Sequence, residues 1–443
     1  MFVKVKNSLK NINYKLFLAL LIMGLCPTIY TTLRIFWLGE LPDGYSYSIA
    51  GQLSWVNLIY ELMSEAIILP LFYFIGKVVF DKKELANRVK TGLIITLGIY
   101  VIMSGIVFVF AEELLKVMAI QPDILEMSVD YIRLESISNI FSVLSNFVLI
   151  VLVTCNKDKY VYLLTGIKLI LSIILDIFLI SSFKASLNLG VNGIAISNIV
   201  INIIMFVATL LILKKVGVNV FNKDKLNFSW TRELIKVGGI SGIESLVRNL
   251  FYMIMISRMV NVVGEQGTYW VANNFIWGWL LLPIIQLGEL IKQEVAIDKG
   301  NIKKNTLGYF IITIAVCLIW LVCIPLYKPF MTYVLNFAEV DKLFNLVMVL
   351  LGFYILYAFQ NIFDSTFYGL GKTNYMLFES IVTNVVYYGI CFILYITHVF
   401  EPTLLGIALM FGIGNAFDSV VSGGVYWYMM KRECQVRSGK TIK

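Results

Sequence analysis

The chain has 443 residues, of which 59% are hydrophobic, 14% aromatic and only 14% charged. Soluble domains carry about 25% charged residues, so this chain lacks the polar surface to meet water on all sides, and its mean hydropathy of +0.83 places it in a membrane. The formal charge of +8 is spread through apolar sequence and forms no basic domain, which excludes a nucleic-acid partner as well as a disordered or coiled-coil chain.

A helix that crosses the hydrocarbon needs about 20 mostly apolar residues. Twelve runs qualify, at 16–38, 46–76, 92–111, 131–153, 160–183, 189–213, 233–260, 267–291, 306–327, 343–368, 375–397 and 403–430. They are continuously apolar, whereas a barrel strand alternates with period two. Lysines precede the first run, which continues from Leu16 without an Ala-x-Ala cleavage pattern and reads as a retained span. Ionisable groups inside such runs cost roughly 2.5–3.5 kcal/mol each on insertion scales and need an interior partner or a wet cavity. They are therefore the informative residues.

The first run carries Arg34 and the fifth Asp176, each embedded in apolar sequence. Opposite charges at similar depth predict a buried ion pair, which serves either as a coupling or gating pair or as a staple between two helices. In the second run Glu61 and Glu65 stack on one face with Asn57 beneath them, as candidate proton or cation holders, Glu65 the deeper. The fourth presents Glu135, Ser138, Asn139, Ser142, Ser145 and Asn146 at spacings of three and four. This polar stripe faces a cavity or is spent on helix–helix hydrogen bonds. In the seventh run Glu244 precedes Arg248 in the favourable order for an i,i+4 pair. Trp270, Asn273, Asn274 and Trp277 of the eighth line a pocket for a flat or cationic ligand or anchor a helix end at the interface. In the tenth, Asp364 has Asn361 as its nearest polar neighbour and is the main candidate of the second half.

Of the 36 Lys and Arg residues, 27 fall before the first run, after the last, in 77–90, 154–159, 214–236 and 292–304, or at Lys372, against Lys116, Lys184, Lys328 and Lys342 on the other side. By the positive-inside rule both termini are cytoplasmic. The polar stretch 214–232 divides the chain into two six-helix halves, 1–213 and 233–430, followed by a basic tail, 431–443. Each half has a basic loop after its second helix (77–90 and 292–304) and a short one after its fourth (Asn156-Lys157-Asp158-Lys159 and Gly371-Lys372-Thr373-Asn374). Leu189-Gly190-Val191-Asn192-Gly193-Ile194-Ala195, opening the sixth run, echoes Leu405-Gly406-Ile407-Ala408 at the twelfth. The halves begin on the same side, so the repeat is parallel.

No cytoplasmic segment is long enough for a nucleotide-binding domain, and Gly371-Lys372-Thr373 lacks the leading Gly of a phosphate loop because Thr366 stands there. The single histidine, His398, and the absence of H-E-x-x-H or G-x-S-x-G argue against an enzyme. Cys26, Cys155, Cys317, Cys323, Cys391 and Cys434 show no paired spacing and read as buried thiols, with neither a disulfide frame nor a metal site.

This organisation resembles the multidrug and toxic compound extrusion (MATE) family over essentially the whole chain. The resemblance is carried by the two six-helix halves, Gly76-Lys77 after the second helix, Tyr131-Ile132-Arg133 opening the fourth, Leu175-Asp176-Ile177-Phe178 in the fifth, Gly190-Val191-Asn192-Gly193-Ile194-Ala195-Ile196-Ser197 into the sixth, and Phe367-Tyr368-Gly369-Leu370-Gly371-Lys372-Thr373 ending the tenth. It implies an all-α polytopic membrane protein of twelve helices in two parallel repeats, monomeric, in the cell membrane. Such a transporter exports amphipathic, often cationic small molecules from a central cavity, driven by proton or sodium inflow, with no cofactor and the bilayer as its partner. The other reading on the same architecture is a flippase or exporter of a lipid-linked or peptide-like metabolite. The likeness is greater to the DinF-like branch, whose fifth-helix acid falls on Asp176, its amide position on Ser172 and its sixth-helix hydroxyl on Ser197. Where that branch has a first-helix acid, this chain has Arg34. The tenth-helix acid of the NorM-like branch is met by Asp364 about one turn away, and its seventh-helix acid lies near Glu244 and Arg248. Arg34 is a fixed cation, so the first-half site is either permanently neutralised or opened by parting Arg34 from Asp176, with ion coupling moved to Glu65 or Asp364.

Overall fold

The computed structural model describes residues 2–41, 44–155, 157–221 and 225–437. Asn156 and the 222–224 part of the linker, with Lys223 and Asp224, lie outside the described residues, as do the end of the basic tail from 438 and the side chain of Cys434. Among the described residues all regular structure is helical. Ten helices are long and apolar enough to cross a membrane. The eighth expected span, Gln266–Leu280 followed by Leu282–Ile297, is bent by 54° and makes an eleventh. The bend has a local cause: a π-helical turn at Ile276–Leu280 runs into Pro283, which has no N–H to give the ladder. The seventh expected span is also helical, as Thr231–Tyr252, a π turn Met253–Ser257 and Arg258–Val262; Glu244, Arg248 and Arg258 lower its apolar character. The second span, Ser46–Gly76, has the limits expected of it.

The two basic connections are shorter than expected. Residues 82–90 of the 77–90 stretch belong to the third span, Lys82–Val109, because the Asp81 carboxylate accepts from the Lys83 and Glu84 N–H groups and Glu84 pairs with Arg88 one turn on. Likewise most of 292–304 is helix, the eighth span running to Ile297 and the ninth, Asn301–Val322, starting four residues later. There Asp298 accepts from the Gly300 N–H (2.7 Å) and Lys304 (3.2 Å), which hold its carboxyl below the usual carboxylate range. Charged turns capped by their own side chains extend a helix past the hydrocarbon at little cost.

The described chain divides into two compact units, one of Ile29–Val271 with Val334–Ala338, the other of Met1–Thr28, Ala272–Tyr333 and Glu339–Lys443. In the first unit the far end of the linker is docked. Asn87 and Asn227 exchange two hydrogen bonds (3.1 and 3.0 Å), and buried Trp230 donates its indole N–H to Thr91 at 3.0 Å while lying against Phe74.

The same unit contains an antiparallel seam between the second span and the seventh. Gln52 and Asn261 exchange amide hydrogen bonds (2.9 and 3.1 Å), and Asn249 donates to the Leu58 carbonyl at 3.0 Å. Toward the other end, Gly238 and Gly242, four apart, let the backbones touch: a Cβ on Gly238 would stand 1.8 Å from the Ala66 carbonyl oxygen, and one on Gly242 would stand 3.0 Å from the Ala66 Cβ. Small residues at this spacing are the usual means of close helix approach in lipid. Gly238→Ala is accordingly expected to destabilise by about 1–3 kcal/mol, the range of overpacking, whereas Gly239→Ala, with nothing within 4 Å of its Cβ, leaves the unfolding temperature in detergent unchanged.

Candidate functional site

Among the described residues, polar clusters occupy the spans, and three of them hold the ionisable groups Arg34, Arg248 and Asp364. The first joins the first span, Tyr14–Leu38, to the fifth, Asp158–Leu179. Arg34 Nε donates to Asp176 Oδ2 at 2.6 Å and Nη2 to Oδ1 at 3.2 Å, a fork-on-carboxylate pair in which Asp176 is fully buried and Arg34 8% exposed. Tyr30, one turn before Arg34, places its ring 5.2 Å from the guanidinium carbon. Lys168, Ser172 and Asp176 recur every four residues on one face of the fifth span. Lys168 is in electrostatic contact with Arg34 and, among the described residues, makes no ion pair. The Ser172 hydroxyl donates to the Lys168 carbonyl at 2.8 Å. Ser197, on the sixth span Gly190–Lys215, is buried with its Oγ unpartnered.

The fourth span is Leu125–Thr154. Its stripe is partly spent on the sixth span: Asn198 donates to Glu135 at 2.6 Å and Asn202 to Ser138 at 2.9 Å. Helices buried in lipid satisfy their polar groups on one another, so Glu135 and Ser138 hold helices together. Asn139 is half-buried, and Asn146, like Asn57 on the second span, is exposed.

The second cluster lies on the seam. Arg248 donates to Glu61 and Glu65 across the seam, each at 3.0 Å, and to Glu244 on its own helix at 3.3 Å. The intrahelical pair read from the sequence is therefore one contact of three, and the acids taken as free ion holders share one guanidinium. Arg248 is 37% exposed in its side chain and Glu65 21%. Arg248→Ala leaves three carboxylates facing one another, so its cost should lie between the ~1 kcal/mol of a surface pair and the ~3–5 kcal/mol of a buried one. Thermal unfolding in detergent checks this, and a Glu65→Gln change in the Arg248→Ala background is expected to recover part of the loss.

The third cluster belongs to the other unit and joins the tenth span, Val340–Gly369, to the eleventh, Thr373–Ile396, and the twelfth, Leu404–Arg437. Asp364 accepts from Ser422 at 2.7 Å and Gln360 at 3.2 Å. Gln360 also donates to Asp418 at 2.6 Å and accepts from Ser419 at 2.8 Å. Thr383 donates to Asp418 at 2.6 Å from within a π turn, Val382–Tyr388, which swings it toward the twelfth span. Glu379, 4% exposed, interacts electrostatically with both aspartates, and its Oε1 has no hydrogen-bond partner. Asn361, expected beside Asp364, instead donates to the Ile284 carbonyl at 2.8 Å. Trp277, in the π turn of the eighth span, donates to the Tyr354 hydroxyl at 3.2 Å and packs on Tyr357, while Asn273 is half-buried one turn earlier. Sequence reasoning missed the joining of Asp364, Asp418 and Glu379, which come from three helices; the available signal was three acids in three consecutive apolar runs.

Comparison with known proteins agrees with this architecture. Residues 80–178 match the MatE family model, while no curated protein matches the chain. Among solved structures, the fold is similar to an inward-facing conformation of a multidrug resistance MATE family transporter of the MOP superfamily (TM-score 0.76, 18% identity, 95% of this chain and 98% of that one covered). An outward-facing conformation of such a transporter gives a TM-score of 0.71 at 19% identity, with 97% and 98% covered. A MOP superfamily transporter from Pyrococcus furiosus, whose binding pocket is described as of reverse polarity, gives 0.71 at 17% identity, again with 97% and 98% covered. This chain has the all-α, polytopic fold of the MATE transporters, and 80–178 carries that family's sequence pattern.

Proposed function

We propose that the chain is a MATE-family secondary antiporter that exports amphipathic organic cations by alternating access. Its coupling ion, a proton or sodium, is taken up at Asp364 and its carboxylate neighbours. One observation carries this reading: Asp364 is bonded by the neutral donors Ser422 and Gln360, with Glu379 beside it leaving an oxygen unpartnered. Crowded carboxylates in a membrane interior are costly unless a mobile cation joins them. The alternatives named from the sequence are occupied, since Arg34 holds Asp176 and Arg248 holds Glu65. The cargo reading rests on the interior acids Glu61, Glu65, Asp176, Glu244, Glu289, Asp364, Glu379 and Asp418, which outnumber the arginines of the twelve apolar runs, with Trp277, Tyr354 and Tyr357 as an aromatic group suited to a flat cation.

A second reading is favoured by Lys168, a span lysine beside Arg34 that makes no ion pair among the described residues: export of an anionic, lipid-linked or peptide-like metabolite. Everted vesicles given an imposed proton or sodium gradient and a panel of cationic dyes and anionic amphiphiles separate the two. Gradient-dependent accumulation of the cations supports the first reading, and accumulation of the anions alone supports the second. Accumulation of neither under any gradient overturns both.

A further inference from the structure

We propose that Glu135 of the fourth span is a proton-exchange site that competes with Asp176 for Arg34. The role in transport rests on the antiport reading above; the site itself does not.

Glu135 is 3% exposed and is held by a neutral donor, the Asn198 amide at 2.6 Å, with the Tyr131 phenol one turn earlier on its own helix in electrostatic contact. No cation bonds it among the described residues. The groups facing it are the Arg34 guanidinium of the first span, Asp176 of the fifth, and the phenols Tyr30, Tyr60 and Tyr131 of the first, second and fourth. Lys168 is a second base in electrostatic contact with Arg34. A bare carboxylate in such an interior needs a cation, and Arg34 already shares its charge with Asp176. The neutral acid suits the observed arrangement, with Arg34 closed on Asp176. When the Glu135 carboxyl gives its proton to water, the new negative charge draws the guanidinium, which itself stays protonated, away from Asp176. Proton loss at Glu135 is thereby converted into movement between the first, fourth and fifth spans. The sequence spacing that suggested a cavity-facing stripe conceals this, because Glu135 is oriented by Asn198 across 63 residues of chain.

The test is infrared difference spectroscopy of the purified, detergent-solubilised chain during a pH titration. One component of the carbonyl stretch of protonated carboxylic acids is expected in the wild type, to be lost as the pH rises, and to be missing from Glu135→Gln while remaining in Asp364→Asn. Spectra of wild type and Glu135→Gln that superimpose throughout overturn the proposal. Asn198→Ala, which keeps the carboxyl and removes the amide hydrogen bond to it, is expected to shift the midpoint of that band; an unmoved midpoint counts equally against it. The readout needs no substrate, so a chain that transports nothing in vesicles refutes the antiport reading and leaves the spectroscopic result to decide this one.

Discussion

Asp364→Asn is expected to lower gradient-driven transport by roughly 5- to 150-fold, the span of a typical coupling free energy between two sites, while leaving the protein folded. The substitution keeps the shape and one acceptor oxygen, so Ser422 or Gln360 retains a partner, and it removes a charge whose surroundings include Asp418 and Glu379. Relief of that crowding makes an unchanged or slightly raised unfolding temperature the companion expectation. A matched measurement of substrate binding by the detergent-solubilised protein distinguishes lost coupling from lost affinity. Full gradient-driven transport by the variant would remove Asp364 from the coupling role.

Arg34→Ala is expected to be the most destabilising single change in the spans, by about 3–5 kcal/mol, because it strands a fully buried Asp176 without its cation. Replacing both partners by apolar side chains, Arg34→Met with Asp176→Leu, should recover stability to within about 1 kcal/mol of the wild type, since an apolar pair of similar volume is commonly neutral or better. Thermal unfolding in detergent measures both. The two roles left open for this pair part at the double variant: a staple predicts full transport, and an exchangeable pair predicts a stable protein whose transport no longer responds to pH. The second is expected, because Glu135 offers Arg34 an alternative carboxylate and Lys168 sets a like charge against it, neither of which a simple staple would require.

The spans were legible because charge flanks apolar runs, and Ser46–Gly76 was read to the residue. Where charges are capped locally, as by Asp81 and Glu84, helix continues through residues that composition assigns to a loop. Arg34 and Asp176 were legible as a pair because Arg34 is the single charged residue of the run 16–38 and Asp176 the single acid of the run 160–183, each embedded in apolar sequence. Arg248 was not: its i,i+4 neighbour Glu244 supplies a complete local explanation, while the contacts to Glu61 and Glu65 reach back 187 and 183 residues through a glycine-dependent helix crossing. Asp364 was found but its company was not, since Asn361 turns to the Ile284 carbonyl and the partners arrive from the eleventh and twelfth spans. The three π turns among the described residues, at Met253–Ser257, Ile276–Leu280 and Val382–Tyr388, have no signature in hydrophobic period, and two of them aim site residues, Trp277 and Thr383.

The central claim is obligatory exchange of an inward-moving cation for an outward-moving solute, and reversed flux tests it most directly. Proteoliposomes loaded with a transported dye, with no ion gradient imposed, are diluted into dye-free buffer while lumenal pH and sodium are recorded. Efflux of the dye is predicted to drive protons or sodium into the lumen, and the Asp364→Asn protein is predicted to lose that inflow. Dye efflux through the wild-type chain with lumenal pH and sodium both unmoved would contradict the account.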